Sequence, residues 1–338
     1  QTGNIAPIGT KFTAFGPVSI SGNIGALIDR QRGFPDIKPE RQTEFETGLD
    51  ATALNERATV ELTWYYKRIT DQLLLRELLG SSGFSLETLN GGTLVNRGVE
   101  IGLTVLPVDG ENVRWQARTN FWANRAEVTE LPVPPFRALG GGFGTTLGEM
   151  RIEEGESPTQ IVGIDDRDGD GAPDGVFKLG DTAPDFEMSF FNTVQLFEQF
   201  ELSLLAHWKY GGDNLNLTKL LYDLSQTTPD FDDPFTFSRT IQNPNGTPIE
   251  DVFGGSEDFE VVGDCPATQG DESVTCTFRT KAGIYRVGQV GVSARQFVEN
   301  ASYFRIREIG LYYNVPERLL DGLGTVRSLR VGVSANNL

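Results

Sequence analysis

Basic residues, histidine and cysteine are scarce in this 338-residue sequence, and each shortage excludes a class of function. Lys and Arg number 29 against 47 Asp and Glu, which gives a net charge of −18. Nucleic-acid phosphates bind clustered positive charge, so we expect no nucleic-acid partner. A single histidine, His207, and two cysteines at the spacing of Cys265 and Cys276 do not supply a compact zinc site.

Long apolar runs and catalytic motifs are also absent. No stretch approaches the roughly 18 consecutive apolar residues of a transmembrane helix. A membrane stays open as a location, because a barrel strand needs only about 9–11 residues of alternating character. The sequence has no phosphate-binding glycine loop and no H-E-x-x-H, and His207 lacks partners at catalytic spacing. We therefore predict that the protein is not an enzyme, with a β-sandwich enzyme as the disfavoured alternative.

The two cysteines lie close together in a polar segment rich in Gly and Asp. We predict a local disulfide between Cys265 and Cys276, and two free thiols are the alternative. Closing a loop of this size stabilises a fold by about 3 kcal/mol in the chain-entropy model. A disulfide also implies an oxidising compartment.

Alternation of apolar and polar residues is the dominant pattern, and it is clearest after the glycine turn at Asn90–Gly92. Val99, Ile101, Leu103 and Val105 point to one side of the predicted strand, and Gly98, Glu100, Gly102 and Thr104 to the other. Residues 1–35 predict a loop or one poor strand. Further strands are predicted at 43–50, 58–67, 98–106, 113–123, 186–196, 200–210, 284–297, 302–315 and 325–337.

The connections between these strands are alternately short and long. Short turns are predicted at 54–57, 107–111, 197–199 and 316–324, and long excursions at 68–97, 129–182 and 211–282. This alternation is typical of an antiparallel transmembrane β-barrel, which has short periplasmic turns and long extracellular loops. Aromatic residues near strand ends, such as Trp64 and Trp208, suit its interfacial girdles. The predicted fold class is therefore an all-β transmembrane barrel, and a packed β-sandwich is the alternative.

An acidic turn within the second excursion has the rhythm of a calcium loop. With Asp166 as position 1, the residues Asp168, Asp170 and Asp174 fall at positions 3, 5 and 9, and Gly171 falls at position 6. Position 12 is Phe177, so the usual bidentate Glu is missing. We predict Ca²⁺ as the one candidate cofactor, and an acidic turn without metal is the alternative.

The polar sides of the predicted strands carry several charged residues. Glu100, Arg114, Arg118 and His207 are the candidate lumen-facing residues, accompanied by Glu44, Glu46, Glu61, Arg305 and Arg307. In a barrel they would contact a plug or a hydrated substrate. For each residue taken singly, ordinary polar lining is the alternative.

Several short motifs in order resemble those of SusC-like TonB-dependent outer-membrane transporters. They are Lys38-Pro39-Glu40-Arg41 with the stretch 43–50, Tyr65-Tyr66-Lys67-Arg68, Asn90-Gly91-Gly92 with 96–100, Gly169-Asp170-Gly171, 301–309 and Asn336-Asn337-Leu338. Each motif is weak alone, and the ordered set over most of the chain is specific. The resemblance covers only the C-terminal half of such a transporter.

The resemblance implies that residues 1–338 are the C-terminal portion of a barrel of about 22 strands. It also implies that the plug domain belongs to a part that this chain lacks. The expected function is TonB-dependent import of oligosaccharides or peptides across a Gram-negative outer membrane. The expected partners are a SusD-like surface lipoprotein, the TonB complex and outer-membrane lipid. The alternative is a secreted, calcium-stabilised β protein that binds glycans.

Overall fold

The computed structural model describes residues 11–242, 258–265, 273–320 and 325–338. The strands, in chain order, are β1 (Phe15–Ile20), β2 (Asn23–Ile28), β3 (Gln31–Arg32), β4 (Arg41–Ala53), β5 (Ala58–Thr70), β6 (Leu73–Glu77), β7 (Leu86–Asn90), β8 (Thr93–Asp109), β9 (Val113–Glu130), β10 (Phe136–Gly142), β11 (Glu149–Ile152), β12 (Gln160–Asp165), β13 (Gly175–Asp181), β14 (Phe186–Leu196), β15 (Phe200–Tyr210), β16 (Asp213–Leu215), β17 (Pro234–Gln242), β18 (Glu260–Val261), β19 (Ser273–Lys281), β20 (Val298–Asn300), β21 (Tyr303–Val315) and β22 (Leu329–Asn336). The α-helices are α1 (Leu217–Leu224) and α2 (Ala282–Gly288).

Eight strands form one antiparallel sheet in the spatial order β22-β21-β15-β14-β9-β8-β5-β4. Strands that follow one another along the chain are also neighbours in the sheet, so this main sheet is a meander. Its longest strands, β8 and β9, have 17 and 18 residues. A tilted strand needs only about 9–11 residues to cross a bilayer. The predicted all-β antiparallel meander is confirmed, with eight strands in this sheet rather than the nine or ten expected.

Short turns join the hairpins at one end of the main sheet, as predicted. Between β4 and β5 the chain turns through Leu54, Asn55 and Glu56, whose φ angles are 55°, 53° and 65°. Between β14 and β15 it turns through Phe197 and Glu198 at φ angles of 52° and 57°. Left-handed backbone reverses the chain within a few residues at some steric cost. The same end of the sheet therefore carries every short connection described here.

The long excursions at the other end contain more regular structure than the sequence predicts. A four-stranded sheet β10-β11-β12-β13 fills most of 129–182, and a three-stranded sheet β17-β19-β18 lies in the third excursion. The β1–β2 hairpin replaces the predicted loop or single poor strand near the N-terminus, where residues 1–10 lie outside the described range. Short strands that pair locally give a weak periodic signal, which explains why the sequence pattern missed them.

The strand predicted at 284–297 is wrong. Helix α2 occupies Ala282–Gly288, and a 3₁₀ turn occupies Arg295–Phe297. Arg286 faces the interior and pairs with the buried carboxylate of Asp223 on α1. The helical path brings this charge to its partner, a tertiary contact that no local periodicity reports.

Apolar packing is concentrated in the long-loop end, not in the main sheet. Ile241, Cys276 and Phe278 form a buried cluster against Phe237 and Val274. In contrast, one face of the main sheet exposes large apolar side chains along its whole width. They are Phe45, Leu49, Val60, Leu62, Trp64, Tyr66, Leu103, Trp115, Leu196, Phe200, Leu202, Phe304, Ile309, Leu311, Leu329, Val331 and Val333. Among the described residues, no helix is long and apolar enough to cross a bilayer.

Candidate functional site

The opposite face of the main sheet, here called the polar face, collects the charged residues that the alternation predicts. Glu100 pairs with Thr63 across one neighbour and with Trp122 across the other. The register then places Arg118 and Arg114 on the same side of β9, and His207 on the same side of β15. The structure thus brings all four predicted lumen-facing residues to one face, spread across several strands.

Glu44, Glu46 and Glu100 surround a cavity of about 380 Å³ near the β4 edge of the polar face. The Tyr65 hydroxyl lies in its wall and donates a hydrogen bond to Asn124 Oδ1 at 3.2 Å. Sequence reasoning missed Tyr65 and Asn124 as members of this site. Their positions in the alternation place them on the polar face, and only the pairing of β8 with β9 brings them together.

Arg118 connects this acidic region to the centre of the polar face. Its guanidinium lies 3.5 Å from Glu61 and donates to Asn120 Oδ1 at 3.2 Å. Asn120 in turn donates to Ser189 Oγ at 3.1 Å. Arg114 lies apart, near the short-turn end, with its guanidinium 3.7 Å from Asp109. The two arginines therefore belong to different local networks.

His207 lies at the centre of a polar bridge over three strands. Its Nδ1 lies 2.9 Å from the guanidinium of Arg307 and 3.2 Å from the hydroxyl of Tyr303. A guanidinium only donates, so Nδ1 is the acceptor and Nε2 carries a proton. Nε2 therefore donates to Glu187 Oε2 at 2.8 Å. Sequence reasoning missed Glu187, although its place on β14 puts it on the same face.

The acidic turn brings three of its four predicted calcium ligands together. Carboxylate oxygens of Asp166, Asp168 and Asp174 lie within 4.8 Å of one another. Asp170 is not in this group, and its Oδ1 instead accepts from the backbone amide of Ala172 at 2.7 Å. Three converging carboxylates are oxygen donors of the kind that Ca²⁺ takes. The calcium assignment itself stays a prediction.

Backbone amides hold the carboxylates of this turn. Asp166 accepts from Gly169 at 2.7 Å and from Gly171 at 2.8 Å, and Asp174 accepts from Arg167 at 2.6 Å. Gly169 and Gly171 have φ angles of 77° and 86°, which glycine adopts without a steric penalty. Phe177, at the position of the missing Glu, lies under the guanidinium of Arg167, 3.5 Å from the ring centroid.

Asp165, the residue before the acidic turn, anchors it to the rest of the long-loop end. Its carboxylate is buried and accepts from Ser293 Oγ at 2.8 Å and from Arg295 Nη2 at 2.6 Å. Burial alone would raise the pKa of Asp165, but these hydrogen bonds and the charges of Arg295 and Arg167 hold that pKa below its usual value. The carboxylate is therefore a fixed, ionised anchor.

Cys265 and Cys276 are joined in a disulfide, with their Cα atoms 5.3 Å apart. Cys276 belongs to the buried cluster with Ile241 and Phe278. Residues 266–272 of the intervening loop lie outside the described range. The disulfide ties β19 to the segment that follows β18, close to the apolar core of the long-loop end.

Comparisons with known proteins agree with this architecture. The family described as TonB dependent receptor-like, beta-barrel matches residues 6–338. The TonB-dependent receptor P26 of Formosa agariphila is 24% identical over 336 residues, which cover 90% of this chain and 30% of that protein. The TonB-dependent receptor SusC of Bacteroides thetaiotaomicron is 29% identical over 97 residues, or 28% of this chain and 10% of that protein.

The chain is also similar in fold to a solved transporter. The RagAB peptide transporter structure matches 97% of this chain and 34% of its own chain, with a TM-score of 0.67 and 17% sequence identity. The chain thus spans about a third of the length of that structure, and 30% of the P26 relative. These matches, together with the meander of long strands, confirm the predicted fold class, an all-β transmembrane barrel.

Proposed function

Because this chain belongs to the TonB-dependent receptor-like β-barrel family, we propose that it is part of the wall of a SusC-like transporter in a Gram-negative outer membrane. The transporter imports large nutrients, oligosaccharides or peptides, with energy delivered by TonB. The chain supplies eight barrel strands and the long loops above them. Its role is that of a wall and a loop surface, and covalent chemistry is not part of the proposal.

One observation carries the proposal: the main sheet is apolar on one face and charged on the other. Phe45, Phe304 and Val333 on the apolar face have exposed fractions of 60%, 63% and 69%. A soluble protein would bury such a continuous surface, whereas lipid solvates it. The polar face, with its glutamates, arginines and His207, suits a water-filled lumen or a plug. Short turns then lie on the periplasmic side and the long-loop end outside.

The proposed partners follow from the family and the relatives. SusC and the RagAB peptide transporter are both similar to this chain over part of their length. We propose a SusD-like surface lipoprotein over the long-loop end and the TonB complex on the periplasmic side. The same apolar face disfavours the alternative of a secreted β protein, because a secreted protein has no lipid to cover it.

Cell fractionation and uptake together test the proposal. The full-length protein should be found in the outer-membrane fraction, and it should need detergent to stay monodisperse. Cells that express it should take up a fluorescent oligosaccharide or peptide, and cells without TonB should not. A protein that is soluble without detergent, or uptake that is indifferent to TonB, would contradict the proposal.

A further inference from the structure

A cavity in the long-loop end has the character of a ligand site. It measures about 320 Å³, within the range of small-molecule pockets. Four separate segments form its walls: the end of β12 with the acidic turn, β17, α2, and the 3₁₀ turn after α2. We call this cavity the loop pocket. Its polar lining includes Tyr285, Gln289 and Gln296, none of which belongs to the polar face of the main sheet.

Three polar groups of the loop pocket have no protein partner within the described ranges. The side-chain amide nitrogen of Gln296 is fully buried and makes no hydrogen bond. The Tyr285 hydroxyl and the Gln289 side-chain amide also make no hydrogen bond to a described residue. Buried polar groups are normally paired, so unpaired groups that converge on one cavity indicate a missing partner.

The charged groups of the loop pocket are already committed to the protein. Asp165 is held by Arg295 and Ser293, and Asp166 by the amides of Gly169 and Gly171. Arg239 donates to the backbone oxygen of Asp170 at 3.4 Å. Two carboxylates and two guanidiniums balance, and further aspartates of the acidic turn lie next to the pocket. This arrangement opposes an anionic ligand and does not call for a cationic one.

An aromatic surface lies beside these polar groups. The Tyr285 ring packs against Phe235 and Phe237, with centroid distances of 4.5 and 4.8 Å. Tyr285 and Phe237 both line the loop pocket. Aromatic rings next to amide and hydroxyl groups suit a ligand that has an apolar ring face and a rim of hydroxyls.

We propose that the loop pocket binds one neutral sugar residue of an oligosaccharide. Hydroxyls both donate and accept, as Gln289, Gln296 and Tyr285 can, and the sugar ring would lie against the aromatic surface. A peptide would need an open strand edge, but β17 is paired with β19 on one side and Thr240 donates to Gly169 on the other. The inference rests on the proposed transport function, whose substrate class it narrows.

Calorimetric titration of the full-length transporter in detergent tests the inference. The probes are a panel of neutral tri- and tetrasaccharides built from glucose, galactose, mannose and xylose. Tyr285→Phe and Gln296→Met each remove one polar group while keeping the side chain's bulk. We expect each to weaken sugar binding by about tenfold, the effect of one lost hydrogen bond to a ligand. Tyr222→Phe is the control, since Tyr222 is exposed on α1 and does not line the pocket.

The outcomes separate this inference from the transport proposal. Loss of binding in both pocket variants, with unchanged thermal unfolding and an unaffected Tyr222→Phe, supports the loop pocket. Failure of every neutral sugar to bind, equal binding by the pocket variants, or a peptide that binds there instead overturns it. TonB-dependent peptide uptake without sugar binding would reject the pocket alone. Sugar binding without TonB-dependent uptake would reject the transport proposal alone.

Discussion

Arg286 on α2 makes a bidentate ion pair with Asp223 on α1, with nitrogen–oxygen distances of 2.6 and 2.7 Å. The Asp223 side chain is fully buried, and the second partner of Arg286, Asp230, is 42% exposed. Removing one member of a buried pair leaves an uncompensated charge, whereas an exposed pair contributes little. The two helices of the long-loop end are therefore held mainly by Asp223.

Asp223→Asn should destabilise the long-loop end by about 3–5 kcal/mol, the usual cost of breaking a buried ion pair. Asp230→Asn keeps the buried pair and should cost less than about 1 kcal/mol. Hydrogen exchange of the α1 and α2 amides measures both. Similar protection in the two variants would show that the burial of Asp223 has no energetic weight.

The same pair predicts a dependence on pH. Burial raises the pKa of Asp223, but hydrogen bonds from Arg286 and Thr228 and the charges of Arg286 and Lys219 lower it further, so the net pKa lies below the usual value. The unfolded segment then binds more protons than the folded one. The stabilisation is fully present above the unfolded pKa of about 3.9 and is lost as pH falls through the lower folded pKa. The difference in exchange between wild type and Asp223→Asn should therefore be constant near neutral pH and shrink in acid; a difference that grows in acid would contradict the assignment.

Leu103→Arg and Glu100→Arg place the same charge on opposite faces of β8. Leu103 lies on the exposed apolar face, and an arginine at the bilayer midplane costs a barrel about 2–4 kcal/mol. Glu100 lines the acidic cavity with Glu44 and Glu46, where an arginine is solvated and attracted. The yield of heat-modifiable, folded barrel in outer membranes should fall for Leu103→Arg only. Equal yields would refute the lipid-facing assignment.

The acidic turn gives the calcium prediction a sharp form. If the three converging carboxylates hold the ion, Asp168→Asn should abolish the heat of Ca²⁺ binding. Asp170→Asn should leave it nearly unchanged, because Asp170 lies outside the group. The spacing pattern alone predicts that both variants lose binding. Calorimetric titration of the full-length protein decides between these results, and a wild type without binding heat would leave an acidic turn without metal.

The disulfide should act on the loop core and not on the barrel. Cys265→Ser opens the cross-link, and a loop of this size is worth about 3 kcal/mol in the chain-entropy model. Cys276→Ser should cost more, since it also places a hydroxyl in the buried cluster beside Phe278. Hydrogen exchange of β17 and β19 should report the loss while β8 and β9 stay protected. Loss of protection throughout the main sheet would contradict this division.

Much of the barrel wall was predictable because its residues are selected by face. Val99, Leu103 and Glu100 sit where alternation places them, and the turn at Leu54–Glu56 falls where the apolar rhythm stops. The long-loop end was not predictable to the same degree. Arg286 joins α1 to α2 and Ser293 joins Asp165 across 128 residues, so local periodicity carries no trace of either contact.

The sequence by itself determined the strands of the wall, their two faces and the end at which the connections are short. A period of two residues follows from backbone geometry and needs no tertiary information. Only the tertiary structure decided how the loops pack, which three of the four aspartates converge, and that Tyr285, Gln289 and Gln296 meet in one cavity. Those relations join segments far apart in the chain, and they depend on buried charge pairs and ring packing instead of a repeated pattern.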